Sequence, residues 1–90
     1  MVYYIQNKEV IQSRIGDEIV MLDVESGFYF GLNSVASVIW EMMREKVDLH
    51  TMVDALMKEF DVDKSTCESD TLELLGQMAE KKIISIVEWN

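Results

Sequence analysis

Apolar and polar positions in this chain change period near residue 33. Before it they follow the two-residue repeat of strands, and after it the three- and four-residue spacing of helices. Residues 2–15, VYYIQNKEVIQSRI, hold two short apolar clusters around Asn7-Lys8, and Val10 to Ile15 is the segment read as a strand. Gly16-Asp17 turns the chain, and Glu18 to Val24 forms the next strand. Glu25-Ser26-Gly27 is the hairpin loop, where Gly27 supplies the left-handed conformation that such loops need. Phe28 to Leu32 returns as the third strand, with Phe28, Phe30 and Leu32 on one face and Tyr29 and Gly31 on the other. This strand is apolar on both faces although its sheet is small. It has a partner or is open to one.

Asn33 or Ser34 caps a first helix running to about Glu45, with Val35, Ala36, Ile39, Trp40, Met42 and Met43 as its apolar set. A second helix starts after Asp48 and carries Leu49, Met52, Val53, Leu56, Met57 and Phe60 on a single side. Asp63 caps the third, which extends to about Lys82. Its stripe Cys67, Thr71, Leu74, Met78 and a second stripe, Leu72, Leu75, Ala79, together cover roughly 160° at about 100° per residue, more than one neighbour requires. Either one stripe serves the core while the other lines a groove, or the helix is wedged between two elements. We expect Leu74 and Met78 to face the groove, with Leu75 and Ala79 as the alternative. The β-branched run Ile83 to Trp89 adds a last strand. Three strands followed by three helices predict an α+β fold of winged helix-turn-helix type, its sheet antiparallel and three-stranded.

Ninety residues predict one domain over 1–90, burying roughly 60% of its unfolded surface. The chain is 49% hydrophobic without proline, which excludes the disordered class. One cysteine precludes an internal disulfide and suits a reducing cytoplasm. The N-terminal MVYYIQNKEV has neither a basic head nor a continuous apolar run, so no secretory signal is expected, and no stretch is long enough to span a membrane. Eight Lys and Arg against seventeen Asp and Glu give a net charge of -9, which repels nucleic acid and favours basic or neutral partners.

Catalytic constellations are missing. His50 has no Cys or His at ligand spacing, so no metal site is expected. Cys67 lies near a helix start without a histidine partner and reads as a packing residue. The glycines are isolated and form no phosphate loop, so no cofactor is expected. The seven methionines read mainly as core. Gly31-Leu32-Asn33-Ser34-Val35 is similar to the segment of acyl carrier proteins whose serine accepts phosphopantetheine. However, Asn33 replaces the usual aspartate and a hairpin replaces the expected first helix.

A broader resemblance is carried by Val20-Met21-Leu22-Asp23, by Gly27-Phe28-Tyr29-Phe30-Gly31-Leu32-Asn33 and by Ile39-Trp40. Val53-Asp54-Ala55-Leu56, Phe60-Asp61-Val62-Asp63, Leu74-Leu75, Met78 and Ile83-Ile84 continue it. Over about residues 10 to 85 the chain resembles PqqD-like proteins, the leader-peptide recognition domains of ribosomally made, modified peptides. A free-standing copy of this length resembles the type found in lasso-peptide pathways. Lys82 stands where that family often has glycine.

The resemblance implies a non-catalytic adaptor whose partners are a precursor's leader segment and a maturation enzyme such as a leader protease. The leader would add as a strand along Gly27, Phe28, Tyr29, Phe30, Gly31 and Leu32, and its side chains would meet Leu74 and Met78 of the third helix. Gly31 would allow close approach, and Asp70 with Glu73 would favour a basic stretch. Two alternatives stay open: a carrier protein modified at Ser34, and a winged-helix transcription regulator. Against the regulator, the third helix offers Asp70, Glu73 and Glu80 beside only Lys81 and Lys82 at its end.

Overall fold

The computed structural model describes residues 1–7 and 9–88. Its elements are β1 (Val2–Gln6), β2 (Ile11–Ile15), β3 (Glu18–Asp23), β4 (Phe28–Leu32), α1 (Ser34–Met42), α2 (Leu49–Glu59), α3 (Lys64–Glu80) and β5 (Ile84–Glu88). The expected third strand is β4. Strands β2, β3 and β4 form an antiparallel sheet in that order, followed by the three helices, so the architecture is α+β and winged-helix-like.

The first apolar cluster, which the sequence reading did not assign, is also a strand. It pairs antiparallel with β5, Val2 opposite Glu88 and Gln6 opposite Ile84, in a separate two-stranded sheet. Trp89, included in the expected last strand, and Lys8, between the two N-terminal clusters, lie outside the described residues.

The β3–β4 hairpin is held from within. Strand β3 ends at Asp23, one residue before the expected Val24, because the buried Asp23 carboxylate organises the loop. It accepts hydrogen bonds from the Glu25 N–H (3.2 Å) and the Ser26 hydroxyl (2.8 Å), while its carbonyl accepts the Gly27 N–H (2.8 Å). Gly27 takes φ +78°, a conformation that a side chain would strain.

Asn33 is the N-cap of α1, accepting the Ala36 N–H at 2.9 Å, so Ser34 is the first helical residue and not the cap. Buried Ser37 ties α1 to the sheet, accepting the Ile19 N–H (3.0 Å) and donating to the Leu32 carbonyl (3.1 Å). The helix stops at Met42 and not near Glu45, because the Met43 N–H turns back to the Trp40 carbonyl (3.1 Å) and the chain leaves to pair Val47 with Tyr4. Asp48 and Asp63 cap α2 and α3 as expected.

Helix α3 ends at Glu80, two residues before the expected Lys82. The Lys82 N–H bonds to the Ala79 carbonyl (3.0 Å) and the Ile83 N–H to that of Met78 (3.2 Å), with buried Ile83 packed in the same core as Met78. This is a Schellman ending. It places Lys82 at φ +62°, the only left-handed non-glycine among the described residues, at the position where the resemblance had glycine.

The core lies between the inner face of the sheet, carrying Ile19, Met21 and Leu32, and the helices, with Trp40, Met52, Leu56 and Leu75 at its centre. The Trp40 indole N–H donates to Gln12 (3.0 Å), and its carbonyl accepts from the Gln6 amide (2.7 Å), so both N-terminal strands are fastened to one side chain's residue.

Candidate functional site

Strand β4 is an edge. Its inner neighbour is β3, and no described strand occupies its other side. Phe30 is half-buried and Leu32 buried, whereas Phe28, on the same face, lies beyond the cover of the helices and is exposed. Tyr29 and Gly31 point the other way and are exposed. An apolar edge of this kind normally needs protection against pairing with other chains. Here it is left open.

The open edge faces a cleft of about 460 Å³ between β4 and the C-terminal half of α3. Its walls are Tyr29 to Leu32 on one side and Leu74, Gln77, Met78 and Lys81 on the other. A second apolar pocket of about 310 Å³, between the three helices, adjoins it through Leu74 and is lined in part by Val35, Ile39, Phe60 and Cys67.

Burial does not follow the two stripes of α3: Cys67, Thr71 and Met78 of the first and Leu75 of the second are all buried. Leu75 is 1% exposed and belongs to the core, Leu72 is exposed, and Leu74 is half-buried at the cleft wall. Met78 takes part in both, since it is buried in the core and its surface forms part of the cleft. The helix is therefore wedged and also lines a groove; the two sequence readings describe one helix.

Asp70 lines the inner pocket and not the β4 cleft itself, on the same helix edge as Leu74. Gly27 lies in the hairpin at the approach to β4, outside the cleft walls. Gln77 and Lys81 were missed by sequence reasoning. The usable signal was the row Asp70, Leu74, Gln77, Lys81, one helix edge at spacings of four, three and four. That row has a carboxylate at one end and an ammonium at the other. Along the helix they are about 16 Å apart, which is also about the length of a five-residue strand such as β4. Lys81 Nζ sits 4.7 Å from the centre of the Phe28 ring, closing that end of the cleft.

Cys67 is buried, and His50 is exposed on α2 beside Asp54 at 3.3 Å. Among the described residues no group of three His, Cys, Asp or Glu could hold a metal ion, and no helix is long and apolar enough to cross a membrane. What the geometry offers is a strand edge with no described neighbouring strand, beside apolar side chains. Such a site can take an extended peptide, by main-chain hydrogen bonds along β4 and side-chain burial against α3.

The family model described as coenzyme PQQ synthesis protein D (PqqD) matches residues 18–84. The solved structure of TbiB1 in complex with the TbiA(beta) leader peptide is similar at TM-score 0.80 and 34% identity, covering 90% of this chain and 94% of that one. A lasso peptide synthetase B1 complexed with the leader peptide has the same fold at TM-score 0.77 and 22% identity, covering 91% and 96%. No curated protein sequence matches the chain.

Proposed function

The chain belongs to the PqqD family, and on that footing we propose that it binds the leader region of a ribosomally synthesised precursor peptide and delivers it to a processing or modifying enzyme. It does so as a single recognition domain without catalysis of its own, in the cytoplasm, where such precursors are made. A leader protease is the enzyme that fits a pathway of the lasso type. The observation that carries the reading is the open β4 edge facing an apolar cleft on α3. Support also comes from TbiB1, similar over nearly the whole chain, which is solved with a leader peptide.

The leader adds as a strand beside Phe28 to Leu32, with Gly27 leaving the approach free and Gly31 presenting no side chain. Alternate leader side chains enter the cleft and are buried against Leu74 and Met78. Asp70 with Glu73 attracts a basic stretch toward the Leu32 end.

Neither rival gains from the geometry. Ser34 is half-buried in the first turn of α1, after a hairpin, which is a poor place for a prosthetic arm. The exposed side of α3 is acidic through Asp70, Glu73 and Glu80, which opposes a DNA-reading role.

The test is an amide-resolved NMR titration of the labelled protein with the leader segment of a precursor encoded beside it. Shifts concentrated on Phe28 to Leu32 and on α3, saturating at micromolar peptide, are expected. A flat spectrum removes the function while leaving the fold intact.

A further inference from the structure

A charge closes one end of the cleft beside β4. Lys81, the exposed C-cap of α3, holds its ammonium 4.7 Å from the centre of the Phe28 ring. An aromatic face is a weak partner for an exposed ammonium. A carboxylate brought into the cleft would compete for it with a full opposite charge and a shorter, charge-assisted hydrogen bond. Lys82 follows directly, so this end carries two lysines against Glu80, which also lines the cleft. The Leu32 end has Asp70 and Glu73 instead.

Helix and strand run side by side between these ends. Lys81 reaches Phe28 at one of them, and at the other Asp70 lines the same pocket as Asn33, the residue after Leu32. Along one helix edge Asp70 and Lys81 are about 16 Å apart. An added strand rises about 3.3 Å per residue and turns every second side chain toward the cleft. Two leader side chains that reach both charges from one face therefore stand an even number of residues apart. Four residues span about 13 Å, a shortfall that the flexible lysine stem covers, whereas six span about 20 Å and overshoot.

We propose that Lys81 determines leader specificity by taking an acidic side chain, and that this Asp or Glu stands four residues from the Lys or Arg that Asp70 attracts. The proposal rests on the leader-binding reading and adds its charge order, base at the Leu32 end and acid at the Phe28 end. A leader with the reverse order sets like charges together at both ends. A slip of one residue turns both charged side chains out of the cleft.

Wild-type protein, Lys81→Met and Lys81→Glu are titrated by anisotropy with the synthetic leader segment of the precursor encoded beside the chain, and their thermal midpoints are compared. Methionine keeps an unbranched apolar side chain beside Phe28 and removes the charge. Each Asp and Glu of the leader is also changed in turn to Lys. The expected Kd is about three- to fivefold higher for Lys81→Met and about tenfold higher for Lys81→Glu. One leader variant should lose affinity for wild type to the same extent and bind Lys81→Glu within about threefold of the wild-type pair. Its changed position should lie four residues from a leader Lys or Arg. Unchanged affinity in Lys81→Met overturns the proposal, since Lys81 then covers the cleft without acting as a charge. So does the absence of a rescued pair, or a rescue at a position with no Lys or Arg four residues away. Should Lys81→Glu lose its thermal transition, Lys81→Met decides alone. Absence of leader binding by wild-type protein refutes the leader-binding reading itself, a result distinguishable from all of these.

Discussion

Replacing Leu74 and Leu75 by alanine, one at a time, separates the cleft from the core. The residues are adjacent and identical in size, so only their placement distinguishes them. Leu75 is 1% exposed among core side chains, and its truncation leaves a cavity that the surrounding helices fill only in part. Such losses run from about 2 to 5 kcal/mol, and roughly 3 kcal/mol is expected here. With a urea slope of about 1.5 kcal/mol/M, the midpoint falls by about 2 M. Leu74 is only partly buried, at the cleft wall, so its truncation costs stability less, about 1.5 kcal/mol.

Affinity should follow the reverse order. Leu74→Ala removes about three methylene equivalents worth ~0.8 kcal/mol each, of which at most about a third is still exposed for a ligand to cover. The loss is therefore about 0.8 kcal/mol, or a Kd about fourfold higher. Leu75→Ala should leave the Kd of the folded protein within about twofold. Urea unfolding followed by the fluorescence of buried Trp40 and leader-peptide titration by anisotropy read the two effects separately. Full affinity in folded Leu74→Ala, or a raised Kd confined to Leu75→Ala, would show that the cleft has been assigned to the wrong side of α3.

Lys82→Gly should raise stability, because a left-handed non-glycine costs about 1–2 kcal/mol and the greater freedom of unfolded glycine offsets part of that. A net gain of about 0.5–1 kcal/mol appears as a thermal midpoint roughly 4 °C higher, and a lower midpoint would contradict the Schellman ending. The carboxyl groups of Asp48 and Asp63 are held below the usual value, chiefly by the backbone N–H groups of Thr51 and Thr66, then by the side chains of the same threonines. A folded pKa below the unfolded one gives stability that is present above about pH 4 and lost as pH falls through the lowered folded value. An Asp48→Asn/Asp63→Asn variant keeps both caps without titrating, so its stability should fall less between about pH 5 and 3 than that of wild type; equal slopes refute the linkage. Asp70→Lys should weaken a leader with a basic stretch by about three- to fivefold at low salt, the scale of an exposed ion pair. The difference should vanish in about 1 M salt, and an effect that persists there would be steric.

The hairpin, the acidic caps and the apolar sets of the helices were legible in the sequence because each is a local matter. Gly27 allows one turn, Asp48 and Asp63 each bond an N–H three residues on, and a helix face repeats at three and four. Strand β1 was not legible, since Val2–Gln6 gains its partner from β5, at the far end of the chain. The early stop of α1 has the same origin, a pairing of Val47 with Tyr4 that no local period announces. Helix α3 showed an apolar arc too wide for one neighbour, but pattern could not rank Leu74 against Leu75, because both are leucines on its flanks.

The sequence by itself thus determined the β2–β3–β4 hairpins and the three helices in order, the acidic charge and a family resemblance that named the ligand class. All of these follow from residue identity and spacing along one element. Tertiary structure alone decided which edge stays open, which flank of α3 lines the cleft, that Lys81 closes it over Phe28, and that one sheet face stays bare. Those depend on how elements pack against one another, and burial is a property of the assembled chain, not of any segment of it.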